Sequence, residues 1–251
     1  IINNLKTIIQ IGTADGDDEV FSYLQGKGFN NYNVFFIEPN THSKPLIEEK
    51  YKNLKNKKIF SLAITNYDGE IDMFFDSDYE TGSSYHSSVR ENILKDDGKV
   101  YSFPEFFGHK KEEIKKIKVP CLKLNTFILK YLPQDTEIEH LFIDAEGCDC
   151  DIVSKTDFSN LTVNNVTFEY IHAGGVNGGM GKREFKDAVD NLQENDFYLQ
   201  DTEVEDYNGA TFTKDWVDKG DYDVTFTHKR AISFEKKDDY VKVKFKQKMY
   251  E

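Results

Sequence analysis

Cysteine is scarce in this chain. Three cysteines in 251 residues cannot build a disulfide framework, and Cys148-Asp149-Cys150 lacks the second ligand pair of a zinc site. We expect reduced thiols packed as small side chains in a cytoplasmic protein. Basic residues are also in deficit, with 32 Lys and Arg against 45 Asp and Glu and a net charge of −13. Nucleic acid and anionic membranes demand the opposite sign, so neither is expected as a partner. No apolar run approaches the roughly 18 residues of a membrane span, and no signal peptide is evident. A P-loop is absent too: Gly181-Lys182-Arg183 has no glycine five residues earlier and no Ser or Thr after the lysine. There is no internal repeat. The chain lacks an initial methionine and begins almost on its first strand, which suggests a domain of a longer polypeptide.

What is present is enough for a sizeable core. The apolar share is 38%, and 20 phenylalanines and 14 tyrosines add bulk. We expect a single domain over residues 1–251, with a long insertion at 76–116 and a C-terminal extension at 229–251. Buried strands are predicted at Ile8–Ile11, Val34–Ile37, Ile59–Ile64, Ile138–Ile143 and Val163–Tyr170. Glu70–Phe74 alternates as a half-exposed strand, and regular structure returns at Ile117–Leu124 after a polar, aromatic stretch. Helical patterns occupy Val20–Leu24, Thr41–Leu54, Asn125–Leu132 and Arg183–Asn195, with Pro45 tolerable in a first turn and Pro133 ending the third. Short strands follow at Phe197–Leu199 and Val224–Thr227. From Tyr240 the sequence alternates with lysines, the pattern of an antiparallel edge strand that resists further pairing. Strands alternating with helices imply a mostly parallel central sheet flanked by helices on both faces.

The most informative stretch is Ile8-Ile-Gln-Ile-Gly12-Thr-Ala14-Asp15-Gly16-Asp-Asp-Glu19. A β-branched run stops at a glycine and a helical pattern follows, the layout of a nucleotide-binding strand–turn–helix unit. A dinucleotide site would want G-x-G-x-x-G facing a pyrophosphate. Here Ala14 takes the middle glycine's place, and Asp15, Asp17, Asp18 and Glu19 would repel a diphosphate. They suit a cofactor bearing an ammonium and a sulfonium, as S-adenosylmethionine does; the plainer reading is an acidic N-capped helix. A nicotinamide-dependent oxidoreductase is disfavoured on the same ground.

Three motifs now stand in order: Ile11-Gly-Thr-Ala-Asp-Gly, Phe36-Ile37-Glu38-Pro39 and Phe142-Ile143-Asp144-Ala145-Glu146-Gly147. Together they resemble the FkbM-type S-adenosylmethionine-dependent methyltransferases over about Ile8 to His172. Gln10 or Ile11 stands where that family has an aspartate, and Phe142 where it has a lysine. The resemblance implies a Rossmann-like class I methyltransferase fold and O-methylation of a sugar, glycan or small molecule. The rival is a non-catalytic α/β module of a glycan-assembly protein that keeps the fold.

Ligands of open α/β sheets lie beyond the carboxyl ends of the strands. Glu38, ending the second strand before Pro39, is placed to accept hydrogen bonds from both ribose hydroxyls. Gly12 and Ala14 would pass the methionine part, Asp15 or Asp144 would hold its ammonium, and Ala63, Ile64 and Thr65 would flank the adenine. Methyl transfer needs alignment and removal of one acceptor proton. His172 is the leading general base because it titrates near neutrality beside a glycine-rich loop, with Asp144 as competitor. Asp144, Glu169 and His172, with Glu146, Asp149 and Asp151 nearby, could also hold a magnesium or manganese ion; alternatively Glu146 and Asp149 cap the next helix. Ser83–Ser88 and Gly174–Gly181 are candidate lids. The aromatic group Tyr101, Phe103, Phe106 and Phe107 is expected to pack under a long loop rather than stack on a sugar.

Overall fold

Ile8, Ile9 and Ile11 form the middle of the molecule, because β-branched side chains suit a strand buried on both faces. The structure, a computed structural model, describes residues 5–84, 86–89, 93–94, 99–170, 179–199, 223–237 and 240–245. In chain order the elements begin β1 (Lys6–Ile11), α1 (Glu19–Lys27), β2 (Tyr32–Ile37), α2 (Lys44–Lys50), β3 (Lys57–Phe60), β4 (Ala63–Ile64) and β5 (Gly69–Phe75). The middle third holds β6 (Ile93–Leu94), β7 (Val100–Tyr101), α3 (Phe103–Phe106), β8 (Lys115–Leu122), α4 (Leu124–Tyr131) and β9 (Glu137–Ile143). The last third holds α5 (Asp149–Lys155), β10 (Thr162–Val163), β11 (Asn165–Glu169), α6 (Gly179–Glu194), β12 (Phe197–Leu199), β13 (Asp223–His228), β14 (Ile232–Lys237) and β15 (Tyr240–Phe245).

The main sheet runs β12-β13-β11-β9-β1-β2-β3, with the two-residue β10 also beside β9. Pairings from β11 through β3 are parallel, and β13 is antiparallel to both β11 and β12. Successive strands step outward from β1 to β3 on one side and from β9 on the other. That reversal places the topological switch point at the carboxyl ends of β1 and β9.

Alternating side chains feed two helical layers. Ile9, Ile11, Phe35, Ile37, Leu141 and Ile143 pack toward Phe127 of α4, Val153 of α5 and Val189 of α6. Ile8, Val34, Phe36 and Phe142 pack toward Val20 and Leu24 of α1 and Ile47 of α2. The class is thus a mixed α/β fold with a mostly parallel sheet covered by helices.

Several boundaries differ from the sequence pattern. The stretch 59–64 splits: β3 ends at Phe60, and β4 leaves for a second sheet of order β4-β8-β5. Glu38 N donates to Phe60 O and Thr65 N donates to Leu122 O, so the break lies where the backbone changes partner. The second helix is shorter than Thr41–Leu54, because Asn40 Oδ1 takes the His42 N–H in a side-chain turn and Ser43 Oγ donates to Gly82 O rather than capping. Asn164 interrupts 163–170 by turning its N–H to Ile138 O, ahead of β11. The stretch 76–107 is not all irregular, since Ser102 and Glu105 close a capping box on α3. The C-terminal β15 pairs antiparallel with β14 in a sheet of those two strands. No helix among the described residues is long and apolar enough to cross a membrane.

Candidate functional site

A cleft of about 810 Å³, counting the solvent at its open mouth, lies at the switch point. Its walls come from the β1 turn (Gly12, Thr13, Ala14), the β2 end (Glu38, Pro39), β4 (Ala63, Ile64) and the β9 end (Asp144 to Glu146). Ser84, Ser87 and Val89, from the stretch after β5, close it on a further side.

Gly12 holds the corner together. Its φ is +71°, and a Cβ there would overlap the Asp144 carbonyl oxygen. The tight approach follows from the ladder: Gly12 N donates to Ile37 O at 2.9 Å, and Asp144 N donates to Ile11 O at 2.9 Å. Three strand ends therefore meet at one point. Ala14 follows with φ +41°, an unusual conformation for a residue with a side chain.

Glu38 is the polar centre of the same corner. It is 6% exposed, and its carboxylate accepts N–H groups from Thr13 (3.2 Å), Ala14 (3.0 Å) and Asn40 (2.7 Å). Burial pushes its carboxyl up to about 7, against the pull of those three donors. Two donors occupy Oε2 and one occupies Oε1, so acceptor capacity toward the cleft remains mainly on Oε1.

Of the acidic run, Asp17 and Asp18 line the cleft. Asp18 is the N-cap of α1, accepting from Phe21 N at 3.0 Å and from the hydroxyls of Thr13 and Tyr51. Asp17 pairs with Lys50 at 2.6 Å. Asp15, expected to bind the cofactor's ammonium, accepts Asp17 N at 3.0 Å and is not among the residues lining the cleft. Capping thus accounts for Asp18, a lysine partner for Asp17 and a local turn for Asp15.

The opposite wall is also acidic. Asp144, exposed, and the half-buried Glu146 and Glu169 bring one carboxylate oxygen each within 4.8 Å of one another. Burial, with Glu169 and Asp149 as like charges, pushes Glu146 up to about 9. Asp149 is pushed up to about 7 by burial, but its oxygens accept from Ala145 N (2.9 Å) and Gly147 N (3.1 Å), a structural turn. Cys148 lines the cleft and Cys150 is buried, and neither is in a disulfide.

The sequence-derived residues Gly12, Ala14, Glu38, Pro39, Ala63, Ile64 and Asp144 share this one cleft. Thr65 does not line it; its hydroxyl donates to Tyr67 O at 2.8 Å. Asp151 accepts from Asn66 and is not part of the acidic trio. His172 and Gly174–Gly178 of the glycine-rich loop lie outside the described residues. Phe107 stacks on His86 rather than on the cleft, in keeping with a packing role. Sequence reasoning missed Leu62, Met73 and Val89 of the apolar wall. No local signal marks these three. Ser84 lies in the stretch Ser83–Ser88 expected as a lid, and its Oγ is buried without a hydrogen-bond partner among the described residues.

A parallel α/β sheet whose switch-point crevice joins a glycine turn to a strand-end carboxylate is a Rossmann-like cofactor-binding fold. Comparison of the sequence with protein families narrows this: the methyltransferase FkbM domain matches residues 10–199, and the chain belongs to that family. No curated protein matches the chain.

Proposed function

We propose that the protein is an S-adenosylmethionine-dependent O-methyltransferase acting on a hydroxyl of a sugar, glycan or small molecule. The observation that carries this reading is Glu38. A buried carboxylate at the β2 end, held by the β1 turn, faces the crevice where such a cofactor's ribose would lie. The donor set suits the group: acceptor capacity at Glu38, apolar flanks at Ala63 and Ile64, and an orphaned hydroxyl at Ser84 awaiting a polar partner. When bound, the cofactor supplies an activated methyl group.

The chain's own residues would do the rest. Gly12 and Ala14 let the backbone approach the ligand, and Asp144 at the cleft wall offers a carboxylate to an ammonium. His172 is the proposed base that accepts the acceptor's hydroxyl proton, with Asp144 as its competitor. A magnesium or manganese ion on Asp144, Glu146 and Glu169 is a second reading, favoured by the closeness of the three oxygens.

Calorimetry with S-adenosylhomocysteine tests the cofactor assignment. Wild type should bind, and Glu38→Gln should weaken binding about tenfold or more while still melting cooperatively. Absence of binding by folded wild type would overturn the proposal. Repeating the titration and a methyl-transfer assay in chelator, then adding magnesium, decides the cation: indifference to both rejects it.

A further inference from the structure

Outside the cleft, three side chains of the stretch after β5 converge on one point. Asp76, His86 and His109 each present one donor atom, all within 4.8 Å of one another. His86 Nδ1 lies 3.0 Å from His109 Nε2. Ligand atoms around a tetrahedral zinc ion, at bonds of roughly 2.0–2.1 Å, lie about 3.3 Å apart, so a small adjustment would seat an ion between the rings.

Asp76 and His86 are oriented by their surroundings. Asp76 is 2% exposed, and its oxygens accept from Asp78 N (2.9 Å) and His86 N (3.2 Å), which fixes the plane of the carboxylate. The His86 ring is stacked on Phe107, with centroids 4.3 Å apart and planes 6° from parallel. His109 follows α3, whose last turn is closed by Gly108 N donating to Glu105 O. Metal sites characteristically show such outer-shell support.

We propose that Asp76, His86 and His109 bind a divalent transition-metal ion, zinc foremost. Two imidazoles and one carboxylate favour zinc and its neighbours over magnesium or calcium, which prefer oxygen. Three protein ligands leave a fourth position for water or another group. The ion clips together the two ends of the 76–109 stretch and restrains the segment that carries Ser84 and Ser87 onto the cleft wall. This site is separate from the Asp144, Glu146 and Glu169 carboxylates and does not depend on the methyltransferase assignment.

The test uses the full chain stripped with chelator and titrated with zinc chloride by calorimetry and equilibrium dialysis. Wild type should take one zinc per chain and melt at a higher temperature with it. Cobalt(II) in its place should show the visible bands of four-coordinate ligation. His86→Ala and His109→Gln should each weaken zinc binding more than the roughly 10–100-fold that outer-shell changes cost, and should lose the thermal shift. Phe107→Ala, which removes the ring stacked on His86, should cost about tenfold. Glu169→Gln should leave zinc affinity unchanged. No stoichiometric zinc or cobalt binding by folded wild type leaves only an imidazole–imidazole hydrogen bond and overturns the proposal. Zinc binding that survives in His109→Gln, or that is lost in Glu169→Gln, overturns it equally. If His86→Ala does not fold, His109→Gln decides alone.

Discussion

At Gly12 one hydrogen atom decides whether three strand ends can meet. Any side chain there collides with the Asp144 carbonyl, and backbone rather than a flexible side chain would have to yield. Gly12→Ala should therefore cost about 3 kcal/mol or more, seen as a lowered melting temperature together with loss of cofactor binding. Glu38 acts at the same scale. Glu38→Ala strands the N–H groups of Thr13, Ala14 and Asn40 and should destabilise by about 2–3 kcal/mol in urea titration. A smaller loss, under about 0.5 kcal/mol, would mean the N–H groups find water instead. Both residues were legible in the sequence, because a strand that stops at glycine and a strand that stops at Glu-Pro are local patterns. Asp15 was not: its charge is visible in sequence, but its direction is set by the turn that gives Asp17 N to its side chain.

The first helix shows how an element consumes charge that looks functional in a linear reading. Asp18 accepts from Phe21 N and from two hydroxyls, one of them on Tyr51 just past α2. Asp18→Ala should cost about 1–2 kcal/mol, read as a lower urea midpoint at unchanged m-value, and Asp18→Asn should recover much of it as a good cap. If Asp18→Ala instead left stability alone and abolished cofactor binding, the acidic turn would be a ligand site after all. The strands were legible from apolar runs, and their ends held to within a few residues. The exchange of partner between β3 and β4 was not, since Ser61-Leu62 carries no Gly or Pro to mark a break. Which sheet a short strand joins depends on β8, more than fifty residues away.

Across the whole molecule, burial has lifted three carboxyls: Glu38 and Asp149 to about 7 and Glu146 to about 9. A carboxyl whose folded pKa lies above its unfolded one binds more protons in the native state. Stability therefore falls as pH rises from the ordinary carboxylate range toward about 9. The net charge of −13 acts in the same direction through self-repulsion. Melting temperature should be highest near pH 4–5 and decline from there to about pH 9. Glu146→Gln, a permanent neutral, should flatten the upper part of that decline and gain about 2 kcal/mol at pH 8.5. A melting temperature that rises over this range would show the three groups to be solvated. Below about pH 4 Glu80, Glu105, Asp157 and Asp196, whose hydrogen bonds and lysine partners hold their carboxyls low, reverse the trend.

By itself the sequence determined the strand–turn–helix opening, the alternation that builds a helix-covered parallel sheet, and the carboxylate at the end of the second strand. These rest on periodicity and on backbone preferences of single residues, which act locally. Only the tertiary structure decided that Asp18 caps α1, that Ser84 and Met73 reach the crevice, and that Asp76, His86 and His109 meet. Those outcomes depend on how distant segments are brought together by burial of the sheets, and burial is a property of the folded whole rather than of any window of residues.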